Sequence, residues 1–436
     1  PTISFSMYMS GAFKNPPLSQ AAKTATAFAC PMAVIRVPSI GSTAISTGVP
    51  PKTFLTPWNH LNKNIISVPY SLIRELTERA EKIKDSITLT IGEPDLQPPK
   101  ELIEYACEYA KTHKLPYTHA GGGEKIRTLV AEHYNKYYKA KTNANCVTMH
   151  IGSMEGLSSI LKTILNPDDE VILPTPFFSP YEQIVKIAHG KAVYLDTRSD
   201  NFVIKPESIE KVLTNKTKAI LFSNPGNPSG YMLKKEEVDE LVKYFEKKNI
   251  FVMVDEIYSA ISFYPFISFA SYESIKDKVI ILNGFSKSHS MTGWRIGYSI
   301  APAEIRKYIL NASFNNVGSM VSLSCAIAEY ALEKFPVITK FRDTYRERAL
   351  TMSKDLADLG FEIIEPRGAF YLFVGYDKFS KKSSLDFSLE LLDKTGVAVV
   401  PGEAFAEDGY FRIALTQDMP LLKEAVNRIK GFIGKI

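Results

Sequence analysis

Short apolar segments and helical segments alternate along the middle of this chain. Apolar runs with the length and composition of buried strands occur at 146–151, 170–174, 192–196, 219–224, 251–254 and 279–282. Stretches with helical character lie between several of them, at 101–112, 152–165, 206–213 and 235–248. This alternation is typical of a sheet that is covered by helices on both faces. The ligand end of such a sheet is the edge at which its parallel strands end.

The two ends of the chain differ from this middle part. Helical periodicity begins near Ser71 and ends before a strand-like alternation at 86–91. After Tyr298 the chain turns helical, and a long helical stretch at 337–359 leads into a smaller C-terminal part. A chain of 436 residues is long enough for two domains with a sizeable core.

Composition excludes several classes of protein. Hydrophobic residues make up 45% of the chain and charged residues 23%, and no run of about 18 apolar residues predicts a membrane span. The net charge of +5 is small for this length, and no basic stripe with interleaved aromatic residues is present. The four cysteines lie far apart, so we expect reduced, mostly buried thiols and no metal site. Neither a nucleic acid nor a membrane is expected as a partner.

The N-terminal part has an unusual composition. Residues 1–74 contain no Asp or Glu but many Ser, Thr, Ala and Pro, together with a few Lys and Arg. Such a leader is typical of an organellar transit segment. A fused segment and an ordered extension that packs on the body or on a partner subunit are the alternatives. We expect a cytoplasmic protein, with an organellar matrix or plastid as the alternative location.

Lys287 is the first candidate for chemistry. It follows the apolar run at 279–282 and lies in a segment rich in Gly, Ser and Thr, eight residues before Arg295. A lysine at the end of a buried strand loses part of its hydration, which lowers its pKa and makes the neutral amine available. A lysine that forms a Schiff base needs this property.

The segment from Asn283 to Tyr298 resembles the cofactor-lysine segment of the pyridoxal-phosphate aminotransferases of the aspartate aminotransferase family, class I/II and fold type I. The resemblance implies that Lys287 holds pyridoxal phosphate as a Schiff base and that Arg295 binds its phosphate. It also makes Ser286 a cofactor-binding residue. Gly284 departs from the pattern, because some branches of the family carry a phosphate-binding serine there.

Two further segments are similar to the same family. Asn224 to Gly230 matches the family motif whose second asparagine, here Asn227, donates to the phenolic oxygen of the cofactor and belongs to the substrate site. We expect the bond from Asn227 to Pro228 to be cis. Asp255 ends an apolar run, where a carboxylate is costly to bury unless a cation such as a protonated pyridine nitrogen pairs with it. Family spacing then places Tyr258 beside the phenolic oxygen.

The remaining cofactor contacts come from turns. Gly152, Ser153 and Met154 lie between a strand and a helix, where free backbone N–H groups and the helix dipole favour a phosphate. By resemblance Phe178 stacks on the pyridine ring, with Phe177 as the competing assignment. Tyr117 would reach the cofactor phosphate of a neighbouring subunit, which implies a homodimer with shared active sites.

The substrate is expected to meet two residues in addition to Asn227. Arg412 stands on an apolar strand, where an arginine is hard to bury unless it binds an anion bidentately. Its family role is to hold the α-carboxylate of the substrate. Gly92 belongs to a Gly-x-Pro-Asp turn, in which the resemblance brings the backbone N–H of the glycine to the same carboxylate.

The resemblance covers the chain from about Ser71 to its C-terminus and implies a fold. It predicts a large cofactor-binding domain over 116–325, with a mostly parallel seven-stranded sheet. A smaller α/β domain would join 66–115 to 326–436. Residues 1–65 are expected to be an N-terminal extension.

The implied reaction is a transamination with Lys287, Asp255 and Tyr258 as catalytic residues. Freed by the substrate, Lys287 would move the proton from Cα to the cofactor. We expect aspartate or an aromatic amino acid as donor and 2-oxoglutarate as acceptor. A carbon–sulfur β-lyase, a 1-aminocyclopropane-1-carboxylate synthase and a pyridoxal-phosphate-binding sensor are the alternatives.

Overall fold

The apolar runs contribute strands to three sheets in the computed structural model of the chain, which describes residues 61–435. The strands are β1 Ile87–Thr88, β2 Val147–His150, β3 Glu170–Thr175, β4 Lys191–Asp196, β5 Thr217–Ser223, β6 Phe251–Asp255, β7 Val279–Gly284, β8 Gly297–Ile300, β9 Glu362–Ile363, β10 Tyr371–Gly375, β11 Val397–Ala398, β12 Val400–Pro401 and β13 Tyr410–Ala414.

Helices connect these strands throughout the described residues. They are α1 Lys63–Ile66, α2 Leu72–Ala80, α3 Lys100–Thr112, α4 Glu124–Tyr138, α5 Ser153–Ile164, α6 Pro180–Ile187, α7 Pro206–Val212, α8 Lys235–Phe245, α9 Phe285–Ser288, α10 Ala303–Val317, α11 Ser322–Lys334, α12 Thr339–Asp358, α13 Ser384–Thr395 and α14 Met419–Ile433.

The larger sheet has seven strands in the order β2-β8-β7-β6-β5-β3-β4. Strand β8 runs antiparallel to both of its neighbours, and the other neighbouring pairs are parallel. The predicted mostly parallel seven-stranded sheet is therefore confirmed. Its strands β5, β6 and β7 are buried almost throughout, because helices cover both faces.

A second group of strands follows α12. Strands β12, β13, β10 and β9 form an antiparallel sheet, and β1 pairs with β11 in parallel. Their side chains share a second hydrophobic core with α12 and α14. Helices α3 and α11 instead pack in the core of the large sheet, through side chains such as Leu102 and Ile327. The predicted domain boundaries at 115 and 325, which stay a prediction, would put both helices with the smaller sheet.

Several predictions of local structure need correction. Strand β8 was not among the predicted strands, because its Gly-rich approach hides the apolar run. Helix α4 was not predicted, although Ile126, Val130 and Tyr134 are buried at four-residue spacing. The strand expected at 86–91 is reduced to β1, but the N–H of Leu89 still donates to the carbonyl of Ala398. Lys287 lies in the short helix α9 and not in a loop.

The other sequence expectations concern residues outside the site. Of the cysteines in the described residues, Cys107 is exposed, Cys146 is partly buried and Cys325 is buried, so the expectation of mostly buried thiols is wrong for Cys107. Most of the predicted extension at 1–65, including Cys30, lies outside the described residues. Within residues 61–435, no helix combines the length and apolarity that a membrane span requires.

Candidate active site

A cavity of about 820 Å³ lies where β5, β6 and β7 end, between the two groups of strands. Eleven of the thirteen predicted site residues line it: Gly92, Ser153, Met154, Phe178, Asn227, Asp255, Tyr258, Ser286, Lys287, Arg295 and Arg412. Residues more than 300 positions apart in the sequence thus share one cavity, at the sheet edge where ligands bind in this type of fold.

Lys287 reaches the cavity from α9, which begins directly after β7. Its Nζ donates to the carbonyl of Gly92 at 2.7 Å. Burial lowers the pKa of Lys287 to about 8, although the nearby Glu93 carboxylate opposes this shift. Because the neutral amine is the nucleophile, this environment suits a lysine that forms a Schiff base.

Asp255 ends β6 and presents a buried carboxylate to the cavity. The hydroxyl of Tyr181 donates to it at 2.8 Å, and the N–H of Ile257 donates at 3.1 Å. Burial nevertheless raises the pKa of Asp255 to about 6. A cation such as a protonated pyridine nitrogen would compensate for this desolvation.

An anion-binding corner lies beside the lysine. Gly152 precedes α5 with a φ of 76°, a backbone conformation that favours glycine. The guanidinium of Arg295 lies beside it, since a Cβ at Gly152 would come within 2.5 Å of its nearest nitrogen. A helix N-terminus and an arginine together suit a phosphate. Gly152 itself does not line the cavity.

Packing against the neighbouring strand explains why position 284 is a glycine and not the serine of some family branches. A Cβ at Gly284 would lie 2.9 Å from the Cα of Gly297 and 3.0 Å from the carbonyl oxygen of Ile296 on the neighbouring strand. A serine would therefore displace the backbone of β8. Gly284 is also absent from the cavity lining.

Arg412 is the least exposed charged group of the cavity, with 2% of its surface accessible. Its guanidinium donates to Oδ1 of Asn227 at 2.9 Å and to the carbonyl of Thr90. It lies 4.5 Å from the ring centre of Tyr371 and 4.9 Å from that of Phe405. Its buried Nε has no partner among the described residues. A positive group held by neutral partners is well suited to bind a carboxylate.

Two tyrosines join the predicted asparagine at this end of the cavity. The hydroxyl groups of Tyr258 and Tyr371 lie 2.8 Å apart. A Cβ at Gly92 would lie 1.8 Å from the Tyr371 hydroxyl oxygen, which requires glycine at that turn. The bond between Asn227 and Pro228 is cis, as expected.

The predicted aromatic residues lie in different environments. Phe178 lines the cavity, whereas Phe177 is buried in the core. Tyr117 does not line the cavity and is 95% exposed. Its predicted contact is with a neighbouring subunit, so its role stays a prediction.

Sequence reasoning missed Tyr181 and Tyr371. The sequence assigned no role to either. A buried carboxylate such as Asp255 needs hydrogen-bond donors. The burial predicted from the apolar run therefore indicated that a donor such as Tyr181 was required.

These residues fit pyridoxal phosphate, the cofactor that the resemblance implies. Lys287 offers an amine, Asp255 a buried carboxylate, Phe178 a ring for stacking, and the corner at Ser153 and Arg295 an anion site. The unpaired Nε of Arg412 adds a site for a substrate carboxylate.

Comparisons with known proteins agree with this geometry. Residues 84–429 match the family described as "Aminotransferase class I and II". A probable N-acetyl-LL-diaminopimelate aminotransferase of Bacillus subtilis is 35% identical over 86% of this chain and 96% of its own length. An aspartate aminotransferase of the same organism is 32% identical, covering 86% and 99%. The crystal structure of an aspartate aminotransferase from Thermotoga maritima aligns with a TM-score of 0.81 at 30% identity, over 86% of this chain and 100% of that one.

Proposed function

Because the chain belongs to the class I and II aminotransferase family, we propose that the cavity around Lys287 is the active site of this enzyme. The protein is a pyridoxal-phosphate-dependent aminotransferase of fold type I. Its substrates are an amino acid and a 2-oxo acid. One observation carries the proposal about the site: a single cavity unites a buried lysine, a buried carboxylate, an anion corner and a buried arginine.

When bound, pyridoxal phosphate withdraws electrons from the Cα of the amino acid, which makes the Cα proton acidic. We propose that Asp255 keeps the pyridine nitrogen protonated, while Arg295 and the N-terminus of α5 with Gly152, Ser153 and Met154 hold the phosphate. Phe178 stacks on the ring, and Asn227 and Tyr258 hold its phenolic oxygen.

Arg412 holds the α-carboxylate of the substrate together with Gly92 and Asn227. This clamp fixes the rotation of the amino acid, so the Cα–H bond faces Lys287. The Nζ of Lys287 would be the group that accepts and holds the proton removed from Cα. A pKa lowered to about 8 supports this role, because far more of the amine is neutral near physiological pH than for an ordinary lysine.

The donor and acceptor are part of the proposal. From the sequence we expect aspartate or an aromatic amino acid as donor and 2-oxoglutarate as acceptor. The names of the relatives support aspartate and N-acetyl-LL-diaminopimelate as further standards for assay.

Assembly, domain limits and compartment are also proposals. The 95% exposure of Tyr117 supports a homodimer in which this tyrosine is covered by a partner. The two hydrophobic cores support a large and a small domain. A cytoplasmic location, with an organelle as the alternative, stays a prediction.

A spectral half-reaction tests the proposed function. The holoenzyme is mixed with single amino acids in the absence of any oxo acid, and the absorbance of the bound cofactor is followed. Transamination converts the cofactor once per site, and 2-oxoglutarate restores the original spectrum. Catalytic release of ammonia and pyruvate would indicate a lyase, and binding without conversion would indicate a sensor.

A further inference from the structure

Cationic side chains of the active-site cavity can be assigned to anionic groups of the cofactor or of the substrate. Among the described residues that line it, the Lys and Arg residues are Arg74, Lys287, Arg295 and Arg412. If the roles proposed above hold, the last three serve the cofactor and the α-carboxylate. Among the described residues of this chain, Arg74 is then the lining cation without an assigned anion.

Arg74 does not stand alone at the mouth of the cavity. It lies on α2, and Glu78 and Glu81 follow it at spacings of four and three residues, so all three side chains lie on one face of the helix. All three are exposed, and the hydroxyl of Tyr70 donates to Glu78 at 2.7 Å. We name Arg74, Glu78 and Glu81 the rim. Its formal charge is −1, and Glu93 adds a further carboxylate to the lining.

The rest of the wall includes apolar side chains. Ile73, Ile91 and Met154 line the same cavity. None of them can pair with a charge, but each can contact methylene groups. The cavity is therefore positive at Arg295 and Arg412, apolar along part of its wall, and negative at the rim.

We propose that the rim selects amino donors that have an apolar stem and a terminal ammonium group over donors that end in a carboxylate. Glu78 and Glu81 attract the distal ammonium, and Arg74 limits the strength of that attraction. This inference rests on the proposed site and names its substrate class. It disfavours donors whose long side chain ends in a carboxylate, because that group would meet two glutamates and one arginine.

Three donors of matched length test the inference. L-Lysine, L-norleucine and L-2-aminoadipate have side chains of four carbons that end in an ammonium, a methyl and a carboxylate group. Each exposed charge pair changes a rate by about 1.4- to 5-fold. We therefore expect the second-order rate constant of cofactor conversion to be ~10-fold higher for lysine than for 2-aminoadipate, with norleucine between them.

Rim variants identify the groups responsible. The double variant Glu78→Gln/Glu81→Gln should lower the lysine to 2-aminoadipate ratio, and Arg74→Gln should raise it. Glu75→Gln is the matched control, because Glu75 is exposed on the same helix but does not line the cavity. That variant should leave the ratio unchanged. Calorimetry with the α-methyl analogues, which lack the Cα proton, should give the same order in affinity without turnover.

The outcomes separate the two proposals. If no amino acid converts the cofactor, the proposed function fails. If donors react but 2-aminoadipate is as fast as lysine, or the glutamine variants at 78 and 81 leave the ratio unchanged, the proposed function stands and the rim does not select the donor.

Discussion

Replacement of Arg412 by lysine should separate carboxylate binding from cofactor binding. The variant Arg412→Lys keeps the positive charge but loses the planar fork that donates to Asn227 and Thr90. The ammonium group lacks the two parallel N–H donors of a guanidinium, so it can donate fewer hydrogen bonds to a substrate carboxylate. The guanidinium contacts with the rings of Tyr371 and Phe405 are lost as well.

The magnitude follows from the contacts. A hydrogen bond to a charged group contributes about 1.5–3 kcal/mol, and a bidentate pair reduced to a single bond loses one of them. We therefore expect kcat/KM for amino acids to fall by roughly 10- to 150-fold. Cofactor affinity should change little, because the phosphate corner at Ser153 and Arg295 is intact.

The assay compares an L-amino acid with the corresponding alkylamine, which lacks the carboxylate. The variant should have a lower kcat/KM for the amino acid and an unchanged kcat/KM for the amine. Circular dichroism should show an unchanged fold. An equal loss for both donors would refute the reasoning and make Arg412 a structural residue, and no loss for either would show that it does not hold the carboxylate.

Four further predictions follow from the same site. Lys287→Ala should abolish the visible absorbance of the bound cofactor, and borohydride reduction should label no other lysine in the native enzyme. Because burial lowers the pKa of Lys287 to about 8, capture of pyridoxal phosphate by the apoprotein should accelerate with rising pH and level off above about 8 rather than near 10.5. A chain that starts at Ser71 should still bind the cofactor, since the predicted site residues follow it; a folded but colourless product would contradict this. Burial raises the pKa of Glu256 to about 8, so its protonated form is favoured on folding and stability should fall from about pH 4.5 to 8; Glu256→Gln should flatten this dependence in urea unfolding of the apoprotein.

The sequence predicted the site well where its residues lie in contiguous motifs. Asn227, Asp255, Lys287 and Arg295 each stand in a short segment with a recognisable order, and all four line the cavity. The sheet was predictable for a related reason, since its buried strands are continuous apolar runs. In the smaller sheet, β9 and β12 have only two residues each, which is too few for such a pattern.

The missed residues depend on long-range contacts. Tyr181 donates to Asp255 across 74 positions, and Tyr371 meets Tyr258 across 113 positions. No local pattern reports such pairs, because they form only when α6 packs on the large sheet, for Tyr181, or when the two groups of strands pack together, for Tyr371. Tyr117 is a different case, since its predicted partner belongs to another subunit.

Local geometry decides between neighbouring candidates at two places. Asp255 and Glu256 are adjacent carboxylates, and consecutive side chains at the end of a strand point to opposite sides. Asp255 faces the cavity, whereas Glu256 turns into the core and accepts hydrogen bonds from Ser268 and Tyr134.

Phe177 and Phe178 lie in the turn between β3 and α6, and only Phe178 lines the cavity. The direction of β6 is fixed by its pairing with β5 and β7, in which Asp255 lies opposite Ser223 and Leu282. A shift of one residue in this register would bring Glu256 to the cofactor side and bury Asp255 among the donors of the core. The register of three buried strands, and not the acidity of either residue, therefore decides which carboxylate can meet the cofactor.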